Sequence, residues 1–392
     1  MQQETTTQQQ AQEATSVQIP FEKSPRSTVG IEWELMLVDP ETGDLVPAAP
    51  GILQVLEGGP KITAELLSNT VEITSDPRER VADAVNDLRS RIELVRPEAE
   101  RHGARLTSAG SHPFARWQDQ HITEKSRYRK LVDRAQWWGR NLLIWGIHMH
   151  VGVDDVRKVV PIITEVTRYL PHLQALSASS PFWAGEQTGY ASNRALVFQQ
   201  LPTAGLPWEL HEWSDFETYV DDMVRTGVID DSSELRWDVR PSPHWGTIEL
   251  RACDSATNPT ELAAFAAFAQ CLVEWCSRRL DAGEEFAPLQ PWYHRENKWR
   301  TARYGLDADV IRERDGAQSP VRDHVEELLS VFEPVASDLG CEGELAGIRQ
   351  ILDLGAGYQR QLRVAQAADG DLTAVAKHMV AEFDAERPLP VA

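Results

Sequence analysis

Four segments of this chain alternate strictly between polar and apolar residues, and this pattern constrains the fold more than any other feature. In a β-strand successive side chains point to opposite faces, so each segment predicts a strand with one polar and one apolar face. A sheet of such strands would pack its apolar face on helices and turn its polar face toward a site. The four segments are Gly30-Ile31-Glu32-Trp33-Glu34, Val71-Glu72-Ile73, Ile147-His148-Met149-His150-Val151 and Thr247-Ile248-Glu249-Leu250-Arg251.

Helix-like periodicity fills the stretches between the predicted strands. A strand over 28–38 is followed by a turn signal at Gly43, and further strands are predicted over 143–152 and 246–253. Apolar residues at helical spacing predict helices over 79–100, 161–178, 215–226 and 260–279, and a helical region from about residue 306. Pro97 is expected to end or kink the first of these helices. This mixture predicts an α+β fold.

The domain boundaries follow from local composition. Residues 1–25 begin with a stretch rich in Gln, Thr and Glu, which predicts a disordered N-terminal tail and lacks the basic and apolar regions of a signal peptide. No low-complexity linker divides the remainder, so residues 26–392 are predicted to form a single domain. Its C-terminal portion, about 306–392, is expected to be helical.

Charge and cysteine content limit the partners and the compartment. The chain has 39 Lys and Arg against 60 Asp and Glu, a formal net charge of −21. Such an acidic balance argues against a nucleic-acid partner, because phosphate backbones attract basic surfaces. Four scattered cysteines indicate a reducing compartment, and no apolar stretch reaches membrane-spanning length. We therefore expect a cytoplasmic protein with small-molecule partners and no membrane partner; a homo-oligomer is left open.

The polar faces of the four predicted strands indicate a metal site. Carboxylates gathered in one cleft repel one another and raise each other's pKa unless cations neutralise them. Oxygen-rich ligands without sulfur favour Mg²⁺, with Mn²⁺ as the alternative. The candidate carboxylate ligands are Glu32, Glu34, Glu72 and Glu249.

Each of these motifs also has a simpler explanation when it stands alone. A Glu-x-Glu strand is usually a solvated face, and Glu249 with Arg251 could form an ordinary ion pair. His150 is either a metal ligand or a residue that orients the site. Arg194 and Arg240 are either clamps for carboxylate or phosphate or structural ion pairs, and Tyr190 either lines a substrate pocket or belongs to a turn at Gly189. The coincidence of all four strands favours the metal site.

The chain resembles the glutamate–cysteine ligase 2 group of carboxylate–amine ligases, which is distantly related to glutamine synthetase. The resemblance runs from about residue 28 into the C-terminal helices. It rests on these stretches: Val29–Glu34, Ser68–Glu72, Gly146–Gly152, Ser177–Trp183, Thr188–Arg194, Trp237–Ser242, Thr247–Asp254, Asn297–Arg300 and Gly305–Ala308.

This resemblance implies a ligase catalytic domain built on a curved, mostly antiparallel sheet with helices packed on one face. It implies ATP as nucleotide and Mg²⁺ as metal, with Glu249 and Arg251 at the reacting phosphoryl group. The activity would be glutamate–cysteine ligation through an acyl phosphate. The implied metal ligands are Glu32, Glu34, Glu65, Glu72, His148 and Glu249.

Two other functions remain open from the residues alone. His148 and His150, perhaps with Asp254, could serve a metal-dependent amide hydrolase. Alternatively, the chain could be a non-catalytic member of the fold that binds nucleotide. Zinc content with ATP-independent hydrolysis would favour the first, and nucleotide binding without turnover would favour the second.

Overall fold

The computed structural model describes residues 18–56 and 61–391. The strands are β1 (Val29–Val38), β2 (Ile62–Ala64), β3 (Thr70–Thr74), β4 (Arg105–Thr107), β5 (Ile147–Gly152), β6 (Phe182–Trp183), β7 (Glu186–Gln187), β8 (Ala204–Gly205), β9 (Arg236–Trp237), β10 (Val239–Ser242), β11 (Thr247–Leu250), β12 (Asp309–Ile311) and β13 (Gln318–Pro320).

Helices occupy most of the remaining chain. They are α1 (Ala49–Val55), α2 (Val81–Arg101), α3 (Ser126–Ala135), α4 (Trp137–Arg140), α5 (Val156–Ser177), α6 (Asn193–Phe198), α7 (Trp213–Arg225), α8 (Pro259–Asp281), α9 (Pro291–Tyr304), α10 (Val321–Leu339), α11 (Glu342–Leu354), α12 (Gly357–Ala367) and α13 (Leu372–Asp384). No helix among the residues the structure describes is long and apolar enough to cross a membrane.

One sheet organises the molecule. Its strands follow the order β10-β11-β5-β1-β3-β2, with β4 also paired to β1. Within the described residues every pairing in this sheet is antiparallel. The predicted α+β class with a mostly antiparallel sheet is therefore confirmed.

The apolar side of the sheet forms the main core, as the alternation predicts. Ile31, Trp33 and Met149 are each at most 1% exposed, and helices α2 and α8 pack against this face. The same hydrophobic cluster includes Phe332 of α10 and Ile348 of α11, so the C-terminal helices share the core of the sheet. The opposite face of β1, β3, β5 and β11 is left for polar side chains.

Several local predictions can be compared with the structure. A tight turn follows β1, where Gly43 has φ +75° and donates its backbone N–H to the Asp39 carbonyl. Helix α2 extends past Pro97 to Arg101, so of the two expected effects Pro97 does not end the helix, and a kink there stays a prediction. A proline removes one backbone hydrogen bond, and the buried contacts of Val95 and Ala99 on either side of it stabilise the last turn. The predicted helical region from 306 begins with the β12–β13 hairpin, and its helices start at Val321.

The N-terminal segment of the described chain contacts α7. The Ile19 N–H donates to Glu217 over 2.8 Å, and the Trp213 indole donates to the Ile19 carbonyl over 3.1 Å. Phe21 packs edge-on against Trp213 with ring centroids 5.4 Å apart. Residues 18–25 of the predicted tail thus lie on the protein surface, and residues 1–17 lie outside the described residues.

Candidate functional site

Strand register brings the predicted polar residues together on one face. Glu32 of β1 lies opposite His148 of β5, and Glu34 lies opposite Glu72 of β3. On the next strand, Glu249 of β11 lies opposite His150 of β5. The register therefore converts four separate sequence motifs into one continuous polar surface.

One potential metal-binding group consists of Glu32, His148 and Glu249. Each offers a ligand atom within 4.8 Å of the other two. The His148 Nδ1 lies 2.9 Å from Glu32 Oε2, and the pKa of His148 is lowered to about 4 by burial and by Arg251. Burial opposes ionisation of Glu32, but hydrogen bonds from His148 and His150 hold its pKa below the ordinary value. His148 is thus a neutral imidazole near pH 7, which is the form that binds metals.

His150 is engaged on both ring nitrogens. Its Nδ1 lies 2.9 Å from the Thr247 hydroxyl, and its Nε2 lies 3.5 Å from Glu32 and 3.9 Å from Glu249. Burial lowers the pKa of His150, but Glu249 and Glu32 raise it above its ordinary value overall. These contacts favour a role in orienting the two carboxylates.

A second potential metal-binding group consists of Glu34, Glu65 and Glu72. Their carboxylate oxygens also lie within 4.8 Å of one another. Backbone and hydroxyl donors orient them, since the Gly146 N–H donates to Glu34 over 2.5 Å and the Thr63 hydroxyl donates to Glu72 over 3.0 Å. Glu65 follows β2 and accepts a hydrogen bond from the Leu66 N–H. The structure therefore brings together all the predicted metal ligands, in two groups of three.

The electrostatics of this second group fit a divalent cation. Burial, followed by the Glu65 charge, raises the pKa of Glu34 to about 8. Burial together with Glu65, Glu32 and Glu34 raises the pKa of Glu72 well above its ordinary value. A bound cation would favour the ionised form of these carboxylates, and an all-oxygen donor set suits Mg²⁺.

Two arginines flank the buried carboxylate of Glu249, which is 1% exposed. The Arg240 Nε donates to Glu249 Oε2 over 2.7 Å, and Arg251 donates to the other carboxylate oxygen. Although burial opposes ionisation, Arg251 and Arg240 hold the pKa of Glu249 well below its ordinary value. Arg251 also reaches the cleft, whereas Arg240 makes its other contacts to backbone carbonyls.

A cleft opens beside these groups, with about 760 Å³ of space that is continuous with solvent. Three arginines line it, and the sequence predicted two of them, Arg194 and Arg251, as site residues. Its wall combines acidic, basic and apolar residues: Glu34, Glu65, Leu66, Leu67, Thr70, Tyr128, Leu131, Leu142, Ile144, Trp145, His148, Arg194, Phe198, Leu201, Arg236 and Arg251.

Arg194, a predicted clamp for carboxylate or phosphate, is among the residues that line the cleft. It is 3% exposed, its guanidinium donates to the Arg251 carbonyl over 3.3 Å, and it lies 5.3 Å from the Phe198 ring centroid. Gly146 makes room for it, because a Cβ there would lie 2.3 Å from an Arg194 nitrogen.

Tyr190 is not brought to the cleft. Its ring lies 5.5 Å beneath the Arg303 guanidinium, at the turn that follows Gly189. Of the two readings left open by the sequence, the structure places Tyr190 in the turn, outside the residues that line the cleft.

Arg236 and Tyr128 line the cleft and were missed by sequence reasoning. Arg236 carries a signal that could have found it, since Arg236, Asp238 and Arg240 alternate with buried Trp237 and Val239. This is the same alternation of polar and apolar residues as in the other motifs. Tyr128 lies on α3 and has no comparable signal.

Solved structures share this architecture. The chain is similar to a glutamate–cysteine ligase from Francisella tularensis, solved in complex with AMP, with a TM-score of 0.67 and 15% identity over 93% of this chain and 90% of that one. It is also similar to a bifunctional glutathione synthetase from Pasteurella multocida, with a TM-score of 0.68 and 15% identity over 91% of this chain and 52% of that one. The fold is therefore that of known glutamate–cysteine ligases.

Sequence relatives identify the family. The model of glutamate-cysteine ligase family 2 (GCS2) matches residues 28–378. A protein of Leifsonia xyli named "Putative glutamate–cysteine ligase 2" is 53% identical over 93% of this chain and 98% of its own length. A protein of the same name from Clavibacter michiganensis is 52% identical over 94% of this chain and 97% of its own length. This chain belongs to glutamate-cysteine ligase family 2, and the predicted resemblance and the ligase class are confirmed.

Proposed function

We propose that this protein is an ATP- and Mg²⁺-dependent carboxylate–amine ligase of the glutamate–cysteine type. The observation that carries the proposal is a single cleft that lies beside two potential metal-binding groups, is lined by Glu34, Glu65 and His148 of these groups, and is also lined by three arginines. Carboxylates suit the metal ions that accompany nucleotide phosphates, and arginines suit the phosphoryl and carboxylate groups of the substrates. Family membership supports the reaction class.

The residues present fit divalent cations. Glu34, Glu65 and Glu72 would hold one cation, and the group of Glu32, His148 and Glu249 would hold another. Bound cations would neutralise charge on the phosphates of ATP, which is a major part of catalysis in phosphoryl transfer. Mg²⁺ is expected because the donors are mostly oxygen, and Mn²⁺ is the alternative because of His148.

The protein side chains have separate tasks in the proposed reaction. Activation of a carboxylate as an acyl phosphate makes it reactive toward an amine, and Arg251 would neutralise the charge on the transferred group. Glu249 holds Arg251 in the cleft through their ion pair. No cysteine nucleophile is needed, and burial raises the pKa of the Cys253 thiol to about 12, which keeps it protonated.

The hydrolase alternative is less well supported by the geometry. His150 hydrogen-bonds to Thr247 and faces Glu32 and Glu249, and each potential metal-binding group among the described residues is dominated by carboxylates. Zinc hydrolases usually present several imidazoles to one ion. A measurement of turnover, rather than the geometry of the site, distinguishes the ligase from a non-catalytic protein that only binds nucleotide.

Formation of ADP tests the proposal. Purified protein is incubated with ATP, Mg²⁺, glutamate and cysteine, and with a panel of other amino acids and amines, while ADP and phosphate are measured. We expect ADP formation that requires both an acid and an amine and is lost in Glu34→Gln. The matched control is Glu100→Gln, an exposed carboxylate on α2. Nucleotide binding without amine-dependent ADP across the panel would contradict the ligase, and zinc-dependent amide hydrolysis without ATP would establish the rival.

We further propose that the enzyme acts in the cytoplasm. The four cysteines are free and buried, as expected where disulfides are not maintained. A homo-oligomer stays a prediction that size-exclusion chromatography with light scattering can check.

A further inference from the structure

Helix α9 carries tryptophan and arginine in alternation along its outer side. Trp292 and Trp299 are 64% and 42% exposed, Arg295 is exposed and Arg303 is partly exposed. Residues three and four apart in an α-helix are neighbours on its surface, so these four residues share one face of the helix. We call them the Trp–Arg face. It lies away from the cleft, since none of the four lines it.

The inner side of α9 holds this face in place. Asn297 is 1% exposed, and its side chain donates to the Ile311 carbonyl and accepts from the Ile311 N–H, each over 2.8 Å. Lys298 pairs with Asp238 over 2.5 Å. The helix is therefore fixed before any partner arrives, which lowers the entropic cost of binding one.

The composition of the Trp–Arg face is typical of a protein interface. Tyr304 is 45% exposed and extends the face, with its ring centroid 6.0 Å from that of Trp299. Contiguous exposed aromatic surface marks interaction sites, and Trp, Tyr and Arg are the residues enriched in binding hot spots. No carboxylate oxygen of the described residues lies within 4 Å of an Arg295 nitrogen, so this guanidinium is available to a partner.

The order of residues along the face is complementary to itself. Read in the opposite direction, Trp-Arg-Trp-Arg becomes Arg-Trp-Arg-Trp. Two copies of α9 packed antiparallel about a two-fold axis would therefore place Trp292 against Arg303 of the second copy and Trp299 against Arg295 of the second copy. The midpoints of these two pairs differ by less than one residue along the helix, so a single axis serves both. Each contact then occurs twice, and a guanidinium over an indole ring is favourable.

Area and charge are also compatible with a second copy. The exposed parts of Trp292, Trp299 and Tyr304 amount to roughly 200–400 Å² per copy, against the about 800 Å² per partner of a stable interface. Two chains of net charge −21 repel each other in general, but this face presents arginines to the partner. The carboxylate of Glu296 beside the face is already paired with Arg300 over 2.8 Å.

We propose that the Trp–Arg face of α9 is the interface of a symmetric homodimer, in which α9 of one copy packs antiparallel on α9 of the other. The occupant of this face is a second copy of the same chain. The inference does not depend on the proposed ligase reaction.

A pair of complementary variants tests this geometry. Arg295→Glu places a carboxylate against Trp299 of the second copy, and Trp299→Lys places a lysine against Arg295 of the second copy. Each variant alone should raise the Kd of the dimer at least about 10-fold, measured by sedimentation equilibrium. In a mixture of the two, the mixed dimer keeps one native Trp–Arg contact and gains one Lys–Glu pair. With a fluorescent label on one variant, it should bind at least about 5-fold more tightly than either variant binds itself.

Matched variants at other exposed positions control for the chemical changes themselves. Arg225→Glu on α7 and Trp208→Lys, which alters a side chain that is 66% exposed, should keep the wild-type Kd. Circular dichroism should show that all four variants fold. A wild type that stays monomeric up to about 100 μM would overturn the proposal. Dimerisation that both α9 variants leave unchanged, or a mixture no tighter than its components, would overturn it as well.

Discussion

Arg360 on α12 forms a buried ion-pair network whose loss can be estimated from the structure. The side chain is 1% exposed and donates to Glu382 of α13 over 2.6 and 3.0 Å and to Glu261 of α8 over 2.8 Å. Both carboxylates are also buried, at 2% and 3% exposure. Replacing Arg360 by Met keeps an apolar chain of similar length but leaves these carboxylates without their counter-ion.

The expected loss of stability in Arg360→Met follows from the pKa of Glu382. Burial raises the pKa of this carboxyl group, but the His378 hydrogen bond and Arg360 bring it down to about 2, from an ordinary value of 4.5. In Arg360→Met the unpaired group is expected to become protonated instead. Protonating a carboxyl of pKa 4.5 at pH 7 costs about 3 kcal/mol, at about 1.36 kcal/mol per pH unit, and at pH 5 it costs about 1 kcal/mol.

The pKa of Glu382 therefore determines the direction in which the stability difference between wild type and Arg360→Met changes with pH. In the wild type a depressed pKa gives stability that is present above pH 4.5 and lost only as the pH falls toward 2, so this group contributes equally at pH 7 and 5. In Arg360→Met the loss of stability becomes smaller as the pH falls, because protonating Glu382 then costs less free energy. With an unfolding entropy of about 2.1 cal/mol/K per residue over 392 residues, the Tm deficit should be about 4 °C at pH 7 and about 1 °C at pH 5.

Thermal unfolding followed by circular dichroism at pH 7, 6 and 5 measures this difference. The matched control is Arg363→Met, an exposed position one turn later on the same helix, whose Tm should stay close to the wild-type value at every pH. A deficit for Arg360→Met that is equal at pH 7 and 5, or absent at pH 7, would refute the reasoning.

Three further predictions concern the cleft. Mg²⁺ should raise the Tm of the wild type but not of Glu34→Gln, because the variant lacks one carboxylate of the acidic group; an equal rise in both would show that the cation binds elsewhere. Arg251→Lys should lower kcat of ADP formation about 100-fold with little change in the KM for ATP, because a lysine lacks the planar guanidinium that can pair with Glu249 and still present further N–H groups to the transferred group; unchanged kcat would remove Arg251 from the reaction. Tyr190→Phe should keep kcat/KM within about twofold, since Tyr190 packs on Arg303 outside the cleft lining; a tenfold loss would return it to the substrate site.

Much of the site could be predicted because strand alternation is a local property of the sequence. Glu32 and Glu34 had to share a face opposite Trp33 whatever the rest of the chain did, and the structure confirms this with Trp33 at 0% exposure. The same reasoning placed His148 and Glu249 on polar faces. Matches to the family's motifs added Glu65, which lies after β2 and outside any alternating strand.

The predictions that were wrong or missing concern features that depend on contacts between distant segments of the chain. Pro97 does not end α2, because packing on the sheet stabilises the helix beyond it. Alternation with Trp237 and Val239 could have marked Arg236 as polar-facing, but not as a residue of the cleft, because its two-residue strand, β9, pairs with β8 some thirty positions earlier. A strand of that length acquires its position from tertiary packing, here the burial of Trp237, rather than from its own sequence.

The sequence by itself determined which side chains face the same way along each strand, the net acidity of the chain and the family to which it belongs. Only the tertiary structure decided that Glu32 lies opposite His148 and Glu34 opposite Glu72, and that the six predicted ligands divide into two groups. The physical reason is that side-chain alternation follows from local backbone geometry. Strand order and register follow from burying the shared apolar face against α2 and α8, which involves residues from the whole chain.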